Sequence, residues 1–417
     1  MDLKKTIDLF HEIFSKALAP IPRITVSKWA DKYRMLPQGS ALPGHWRTDQ
    51  VPYQKEVMDA FTDPCIHDVA AMWAAQGGKS EIMNNVIGRF AYLDPCPIMM
   101  IQPTLTDGED YSKRRISPMI RATQVLKEIF ADPKTRDSGN TILGKFFPGG
   151  SLNISGANSP SSLASKPIRI LLCDEIDRYP DSAGGEGDPI SLAEKRTTTY
   201  WNRLVAKFST PTSKGASRIE DEYALGTQEE WQHQCPNCKE FHLLSHINMK
   251  CDYTQKIDKK KVKHVHVKSV AWVCPDCGFS FSEQTMKQQP QKYVAQNPEA
   301  RQEGRRSFHV NGFTFPWIGW KKIMTEWLEA QEDPELEKVV FNTRFGLPYE
   351  MGGVFKSERI FLDRRESYGA ELPEGAMVLT AAVDTQDNRL EYEICGWGMG
   401  EERYLSLIHI SEPTRPY

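Results

Sequence analysis

The sequence predicts an α/β fold in which a parallel sheet is flanked by helices. An apolar run over residues 68–74 leads into a glycine-rich turn, and residues 81–92 then have helical spacing. Two further apolar runs, over 97–102 and 168–173, are each followed by a polar loop and a helical pattern. Alternating strands and helices build parallel sheets, and ligands of such sheets bind at the carboxyl ends of the strands.

The turn after the first strand predicts a phosphate-binding loop. It reads Gln76-Gly77-Gly78-Lys79-Ser80. The backbone N–H groups of such a turn surround phosphates, the lysine reaches the β- and γ-phosphates, and the serine hydroxyl binds Mg²⁺. An ordinary glycine turn is the alternative, because Trp73 stands where the usual pattern begins with glycine.

The strand over 168–173 ends in Asp174-Glu175, which predicts the other half of an ATP-hydrolysing site. Asp174 would hold the same Mg²⁺ ion, and Glu175 would orient or deprotonate the attacking water. Taken alone, the two acids could also cap a helix after a strand. Because both motifs follow predicted strands, we interpret Lys79, Ser80, Asp174 and Glu175 as one ATPase site.

Weaker candidates surround these motifs. Tyr53 and Gln54 precede the loop where many such ATPases contact adenine, although a Tyr-Gln pair before a helix more often serves packing and capping. A polar turn near the end of another strand would sense the γ-phosphate or would be a simple proline turn: Ser209, Thr210, Thr212. A basic helix face would supply a catalytic arginine or, as the favoured interpretation, lie in solvent: Lys113, Arg114, Arg115, Arg121.

Two Cys-x-x-Cys pairs predict a structural zinc site. The pairs Cys235/Cys238 and Cys274/Cys277 each place two thiolates on one tight turn, and together they complete a tetrahedral site. A redox pair is the less favoured alternative. The gap between the pairs exceeds the usual ~15–20 residues, so the intervening chain would form an extended hairpin or arm.

The arm between the two cysteine pairs is basic. A solvated hairpin is the favoured interpretation, and an arm that contacts DNA phosphates is the alternative. A DNA partner would need such a local patch, because the net charge of the chain is −3. The basic residues are Lys256, Lys259, Lys260, Lys261, Lys263, His264, His266 and Lys268.

Length and composition narrow the class of protein. A chain of 417 residues is expected to form about two or three domains. The first 20 residues carry acids among their apolar residues, unlike a signal peptide, and no apolar run approaches the ~18 residues of a membrane span. These two features lead us to expect an intracellular protein. In such a protein, nine cysteines suggest metal binding before disulfides.

With these motifs in order, the chain resembles the large subunit of phage terminases of the lambda-type (GpA-like) family. The resemblance runs from about residue 25 to residue 404. The matching stretches are 29–34, 43–48, the glycine-rich loop, 173–180, 209–212, the first cysteine pair and 383–391.

The resemblance implies a motor and a nuclease. A P-loop ATPase domain would drive double-stranded viral DNA into a procapsid, and a ribonuclease H-like domain would cut concatemeric DNA. In the family the motif over 383–391 opens the nuclease domain, so Asp384 would be its first Mg²⁺- or Mn²⁺-binding carboxylate. An aspartate at the end of an apolar strand also suits a two-metal site, although a lone strand-end turn former is the alternative.

The implied partners are a small terminase subunit, a portal on the procapsid and further copies of the chain in a ring, all in the host cell cytoplasm and without a membrane. The predicted organisation is an N-terminal arm (1–50), an ATPase core (51–230), a zinc ribbon with the basic arm (231–285), a return to the ATPase domain (286–351), a linker (352–376) and the start of the nuclease domain (377–404).

Residues 405–417 read like a translated adapter from DNA library preparation. We therefore expect a nuclease domain that is truncated after its first strands and does not cleave DNA, with a genuine short tail as the alternative.

Two other classes of protein compete with the terminase interpretation. A P-loop helicase or translocase with a zinc ribbon should carry a second RecA-like domain, and none is visible before residue 377. A non-enzymatic zinc-ribbon DNA-binding assembly protein with a decayed loop is the other.

Overall fold

The computed structural model describes residues 7, 10, 11, 14, 24–130, 140–164, 166–257, 263–331, 333–350, 375–385, 390–399 and 403–411. The chain divides into two compact units, Met1–Met351 and Gly352–Tyr417. None of the helices in these ranges is long and apolar enough to cross a membrane.

The strands of both units follow in chain order. They are β1 (Met35–Leu36), β2 (Gly44–His45), β3 (Asp68–Trp73), β4 (Pro97–Gln102), β5 (Gly144–Phe147), β6 (Gly150–Gly156), β7 (Ile170–Asp174), β8 (Leu204–Ser209), β9 (Glu229–Gln234), β10 (Phe241–Leu243), β11 (Met249–Ile257), β12 (Lys263–Val273), β13 (Ser280–Ser282), β14 (Gln291–Ala295), β15 (Arg305–Val310), β16 (Val378–Thr385), β17 (Leu390–Trp397) and β18 (Arg403–Ser411).

The described helices all belong to the first unit. They are α1 (Val26–Tyr33), α2 (Lys55–Ala60), α3 (Lys79–Leu93), α4 (Leu105–Tyr111), α5 (Ser117–Ala122), α6 (Gln124–Ile129), α7 (Pro160–Leu163), α8 (Pro189–Glu194), α9 (Arg218–Ala224), α10 (Glu283–Lys287), α11 (Trp320–Ala330) and α12 (Pro334–Val340).

The first unit is built on a ten-stranded sheet in the order β10-β9-β15-β3-β8-β7-β4-β6-β5, with β14 also paired to β9. The strands from β9 to β6 in this order run parallel. Strands β5, β10 and β14 pair antiparallel at the two ends. The prediction of an α/β fold with a parallel sheet is confirmed.

Helices cover both faces of this sheet. In β3, Ala71 and Trp73 enter one hydrophobic core, whereas the alternate residues Ala70 and Met72 enter a second core. Successive side chains of a strand point to opposite faces, so a strand buried on both faces reads as a continuous apolar run. This is why the apolar runs identified in the sequence became the central strands.

The strand order places the two ATPase motifs at one edge. Strand β8 lies between β3 and β7. In the parallel register, Met72 of β3 pairs with Ser209, and Phe208 pairs with Asp174 of β7. The turn after β3, the end of β8 and the end of β7 therefore meet at the carboxyl edge of the sheet.

Several elements differ from expectation. The helical pattern that follows the run over 97–102 gives two helices, α5 and α6, which break at Thr123, and a π-helical turn (Ser112–Ile116) precedes them. The helical pattern that follows the run over 168–173 gives α8, which ends at Glu194 and continues as a 3₁₀ turn. Neither β6 nor β15 was predicted from the sequence, although both lie in the parallel part of the sheet.

The cysteine-rich region joins the sheet through β9 and β10 and forms a second, three-stranded sheet of β11, β12 and β13. The hairpin of β11 and β12 is the arm expected between the two cysteine pairs. Residues Lys259, Lys260 and Lys261 of the arm lie outside the described residues.

The second unit contains an antiparallel sheet of β16, β17 and β18. Strands β16 and β17 lie in the segment 377–404 that was predicted to begin the nuclease domain. Residues 351–374, which include most of the expected linker (352–376), and residues 412–417 at the end of the chain lie outside the described residues. The backbone of 405–411 continues β18, and the interpretation of these residues as adapter sequence stays a prediction.

Candidate functional site

The loop after β3 is a tight, closely packed turn. Gln76 has a φ of 63° and Gly78 a φ of 87°, so both residues are left-handed. A Cβ atom on Gly78 would lie 2.3 Å from Gln54 Nε2, and one on Gly77 would lie 2.7 Å from the Phe315 ring. Helix α3 begins directly after Gly78, and its first N–H groups are free to bind an anion, as at other helix N-termini.

Lys79 lies at the centre of the site. Its side chain is 5% exposed, and its ammonium donates to Thr210 Oγ1 at 2.8 Å and to the Trp73 carbonyl at 3.4 Å. The same nitrogen lies 3.5 Å from Glu175 Oε1. Three strand ends thus contribute to one cluster, because Thr210 follows β8 and Glu175 follows β7.

Glu175 has an unusual backbone. Its φ and ψ are both 54°, a left-handed conformation that is uncommon for residues other than glycine, asparagine and aspartate. Its second carboxylate oxygen accepts a hydrogen bond from the backbone N–H of Thr210 at 3.3 Å. Backbone strain of this kind concentrates at functional sites.

Ser80 and Asp174 form the second half of the site. Ser80 Oγ donates to Asp174 Oδ2 at 3.2 Å, and Gln102 Nε2 donates to the same oxygen at 3.2 Å. Burial, together with the adjacent charge of Glu175, raises the pKa of Asp174 to about 6. Within the described ranges, the other oxygen, Oδ1, is buried and receives no hydrogen bond. A hydroxyl beside a carboxylate with an unsatisfied oxygen fits a Mg²⁺ ion.

Gln102 and Tyr111 are two residues of this site that the sequence analysis missed. Gln102 ends β4, the neighbour of β7 in the sheet. The Tyr111 hydroxyl lies 3.1 Å from the Ser80 carbonyl and 2.8 Å from Asn84 Oδ1 and shares its one proton between these two acceptors, which fixes the first turn of α3. The sequence does show a glutamine at the end of an apolar run. To place Gln102 in the site, however, one must also know that β4 lies beside β7 in the sheet.

The structure favours packing over adenine contact for Tyr53. Its ring is 1% exposed and packs against Trp73, Trp231 and Phe315. An adenine contact would require the ring to leave the core. Gln54 does touch the loop, because its amide donates to the Gly77 carbonyl at 3.0 Å.

In the polar turn after β8, the side chain that contacts Lys79 is that of Thr210. Ser209 instead accepts from the backbone N–H of Asp177 at 3.2 Å. Thr212 donates to the Asp177 carboxylate at 2.8 Å. Ser209 and Thr212 therefore hold the segment after β7 rather than the loop.

The basic segment near the loop is mostly paired with local acids. Lys113 lies 2.9 Å from Glu109, and Arg114 lies 2.6 Å from Asp110. The guanidinium of Arg115 lies 3.6 Å from Glu81, which directly follows Ser80. Arg121 is exposed. The contact of Arg115 places this segment beside the first turn of α3, and its role in catalysis stays a prediction.

The four cysteines predicted to bind zinc come together. Their sulfur atoms all lie within 4.8 Å of one another. Cys235 and Cys277 are 3.7 Å apart, as are Cys238 and Cys274. A tetrahedral Zn²⁺ site with Zn–S bonds near 2.3 Å has sulfur atoms about 3.8 Å apart. The donor set and its spacing therefore fit a zinc ion.

Both cysteine turns have the same backbone geometry. The N–H of Lys239 donates to the Cys235 carbonyl at 3.1 Å, and the N–H of Gly278 donates to the Cys274 carbonyl at 3.0 Å. Lys239 and Gly278 are both left-handed, with φ of 67° and 72°. His242 Nε2 lies 3.6 Å from Cys274 Sγ, outside the set of four sulfurs.

Asp384 of the second unit lies on β16 and is exposed. In the antiparallel register it stands directly opposite Glu391 of β17. Its role as a nuclease metal ligand stays a prediction.

Comparisons with known proteins agree with the resemblance found in the sequence. Residues 40–294 match the family model of the phage terminase large subunit gpA, ATPase domain, and residues 305–410 match the model of the terminase large subunit gpA, endonuclease domain. The large terminase subunits of Enterobacteria phage P21 and Escherichia phage lambda are 27% and 25% identical to this chain, over 411 and 407 residues. Each alignment covers 93% of this chain and 62% of the relative.

Two solved structures are also similar. The large terminase of bacteriophage HK97 has a TM-score of 0.47 and 13% identity, covering 95% of this chain and 69% of that chain. The large terminase ATPase domain of Thermus phage P74-26 has a TM-score of 0.39 and 13% identity, covering 72% and 97%.

The match to the ATPase domain agrees with the sheet of the first unit and confirms a P-loop ATPase-like fold. The predicted resemblance to lambda-type terminases is likewise confirmed. Because the ATPase-domain model alone matches more than half of the residues of this chain, the chain belongs to the family of gpA-type phage terminase large subunits.

Proposed function

We propose that this protein uses ATP hydrolysis to package double-stranded viral DNA and that its second unit belongs to an endonuclease domain for cutting concatemers. Whether the second unit cleaves DNA in this chain is not part of the proposal. The chain spans 62% of the length of the terminase large subunits that it matches. The observation that carries the proposal is the convergence of Lys79, Thr210 and Glu175 at one edge of the sheet, beside Ser80 and Asp174. The helicase and non-enzymatic alternatives are not favoured, because both terminase domains match.

The loop would bind the phosphates of ATP. The left-handed Gln76 and Gly78 turn successive backbone N–H groups toward one point, an arrangement that binds anions. Gly77 belongs to the same turn, and its small size permits the packing of Phe315 against it. Lys79 would place its ammonium on the β- and γ-phosphates, where negative charge develops as the terminal phosphate leaves.

Ser80 and Asp174 would hold Mg²⁺, which neutralises phosphate charge during the reaction. Glu175 would orient the attacking water and accept its proton. Gln102 and Tyr111 would position these groups, since Gln102 donates to Asp174 and Tyr111 donates to the carbonyl of Ser80. Gln54 would fix the loop through the Gly77 carbonyl.

The four cysteines Cys235, Cys238, Cys274 and Cys277 would hold a structural Zn²⁺ ion and form a zinc ribbon. All four coordination positions would be filled by protein ligands, so the ion would have no open position for catalysis. It would instead tie the β9–β10 turn, which belongs to the main sheet, to the β12–β13 turn of the arm.

The second unit would belong to a ribonuclease H-like nuclease domain. Asp384 would be its first carboxylate for Mg²⁺ or Mn²⁺. We assign 51–230 and 286–351 to the ATPase domain, 231–285 to the zinc ribbon and 377–404 to the nuclease domain. The endonuclease model matches 305–410, which includes 377–404 but also part of 286–351. We keep 286–351 in the ATPase domain because β15 pairs with β3 in the main sheet.

We propose that copies of the chain assemble into a ring on a procapsid portal. A small terminase subunit would select the DNA. The complex would act in the host cytoplasm. Neighbouring copies in such a ring would complete the ATPase site, so nucleotide binding by the isolated chain is measured as well as turnover.

The substitution Glu175→Gln tests the proposed ATPase. It keeps the size of the side chain but removes the base, so we expect kcat for ATP hydrolysis to fall by about 10²–10⁴-fold. Nucleotide binding, measured with a fluorescent ATP analogue, should stay within about twofold of the parent. Equal turnover by parent and variant would contradict the assigned base, and a parent that neither binds nor hydrolyses ATP would contradict the motor.

A further inference from the structure

The arm of β11 and β12 is a concentrated basic element in an otherwise acidic chain. Residues 249–273 contain seven lysines and two aspartates, whereas the net charge of the whole chain is −3. The first unit therefore has a marked charge asymmetry. Basic clusters of this kind bind polyanions, and their location decides which polyanion can reach them.

One face of the arm is covered. Val265 and Val267 of β12 pack against Leu328 of α11, and the three side chains form a separate buried cluster. The backbone N–H of Val265 also donates to Glu329 of the same helix at 2.9 Å. The arm is therefore anchored along a helix.

The opposite face is polar and exposed. Lys256 stands opposite His264, and Thr254 stands opposite His266, in the antiparallel register. All four side chains are exposed. The register shifts between Asp252 and Tyr253, which leaves Lys268 as an extra, exposed residue at the bulge.

We propose that this exposed face, which carries Lys256, His264, His266 and Lys268 together with the acid Asp252, contacts the phosphates of duplex DNA. The inference rests on the proposed function, because it names the surface that would hold the DNA being moved. Because α11 covers one face of the arm, only the opposite face is available to DNA. Contacts from lysines to phosphate oxygens carry no sequence information, so this face would bind without regard to base sequence.

The two lysines supply the test. Each phosphate contact by a cation contributes about 0.9 to the slope of log affinity against log salt. The double variant Lys256→Gln/Lys268→Gln should lower this slope by up to about 2 and should weaken binding at low salt by about tenfold or more. Binding is measured by fluorescence anisotropy with a duplex of about 30 bp of arbitrary sequence over a series of NaCl concentrations.

The matched control is Lys28→Gln, which removes an exposed lysine from α1 and should leave the slope unchanged. Both variants should keep the unfolding midpoint, the zinc content and the DNA-independent ATPase rate of the parent. An unchanged slope in the double variant, with duplex binding intact, would overturn the inference and leave the proposed function standing.

Two further outcomes would also overturn it. If the double variant loses affinity for a poly-glutamate peptide but keeps the parental duplex slope, the face binds an acidic protein instead. If the parent chain hydrolyses ATP but binds no duplex, then the DNA part of the proposed function fails together with the arm.

Discussion

The ammonium of Lys79 lies 3.5 Å from the carboxylate of Glu175, so the proposed phosphate-binding cation and the proposed catalytic base face each other. A γ-phosphate that binds Lys79 must compete with Glu175 for the same ammonium. Binding of ATP would then release the carboxylate toward the attacking water. The contact thus links occupation of the loop to readiness of the base.

Thr210→Val should weaken ATP binding. Thr210 Oγ1 accepts a hydrogen bond from Lys79 at 2.8 Å, and valine removes this acceptor while keeping the shape and the backbone N–H that serves Glu175. Hydrogen bonds to charged groups contribute about 1.5–3 kcal/mol. We therefore expect about a tenfold rise in Kd for ATP, measured by titration calorimetry.

The control for this variant is Thr212→Val. The hydroxyl of Thr212 bonds to the carboxylate of Asp177, whereas Lys79 bonds to Thr210, so the loss of the Thr212 hydroxyl should leave the Kd for ATP within about twofold of the parent. Equal Kd values for parent and Thr210→Val would show that Thr210 does not position Lys79.

Asp174→Asn should stabilise the protein at neutral pH when Mg²⁺ and ATP are withheld. Burial and the charge of Glu175 raise the pKa of Asp174 from 3.8 to about 6. Between about pH 4 and about pH 6 the folded protein keeps a proton that the unfolded chain has released. Ionisation therefore costs stability as the pH rises through this window, and the full cost is present above it.

Asparagine removes this cost and can still accept hydrogen bonds from Ser80 and Gln102. We expect the free energy of unfolding to rise by about 1–3 kcal/mol at pH 7.5, with little change at pH 4, while Mg²⁺-dependent hydrolysis is lost. Urea unfolding in EDTA at both pH values measures the effect. A gain of the same size at both pH values would show that the charge of Asp174 is not its cause.

Cys238→Ser should remove the proposed zinc ion. We expect about one Zn²⁺ per parent chain and much less in the variant, because serine replaces one of four thiolate ligands. The unfolding temperature should fall as well, since the site joins a turn of the main sheet to the arm. Cys251→Ser is the control, because Cys251 is half-buried and lies outside the cluster of four. Loss of zinc from both variants, or from neither, would contradict the assignment.

Sequence patterns revealed the central strands because those strands are apolar throughout. Strand β7 is buried at every position, and its last residue, Asp174, marks the carboxyl edge where the site forms. The grouping of Lys79 and Ser80 with Asp174 and Glu175 followed from that topology. The role of Gln102 could not follow, because it depends on β4 lying beside β7 rather than on any local pattern.

Strand β15 escaped prediction for a different physical reason. It pairs with β3, yet it carries the buried polar residues Arg306, Ser307 and His309. Each finds its partner far along the chain: Ser307 Oγ donates to the Tyr223 carbonyl at 2.7 Å, and His309 lies 3.1 Å from the Phe345 carbonyl. Polarity that is satisfied by distant residues looks like a surface segment when only the sequence is available.

The Arg306–Glu229 pair provides a test of how such a polar strand is stabilised. Its two hydrogen bonds, of 2.7 and 2.6 Å, form a bidentate pair between side chains that are 9% and 7% exposed. Removing one partner leaves the other charge buried, so Arg306→Met should destabilise the protein by about 3–5 kcal/mol in urea unfolding.

Replacing both residues by methionine removes both charges at similar volume. The double variant Arg306→Met/Glu229→Met should therefore be more stable than Arg306→Met alone, even though it carries one more substitution. Additive losses would mean that each side chain contributes separately, through Glu56 for Arg306 and through Thr227 for Glu229. If the double variant recovers stability, packing between β9 and β3 is what holds β15 in place. The ion pair would then be needed only because either charge, buried without the other, destabilises the fold.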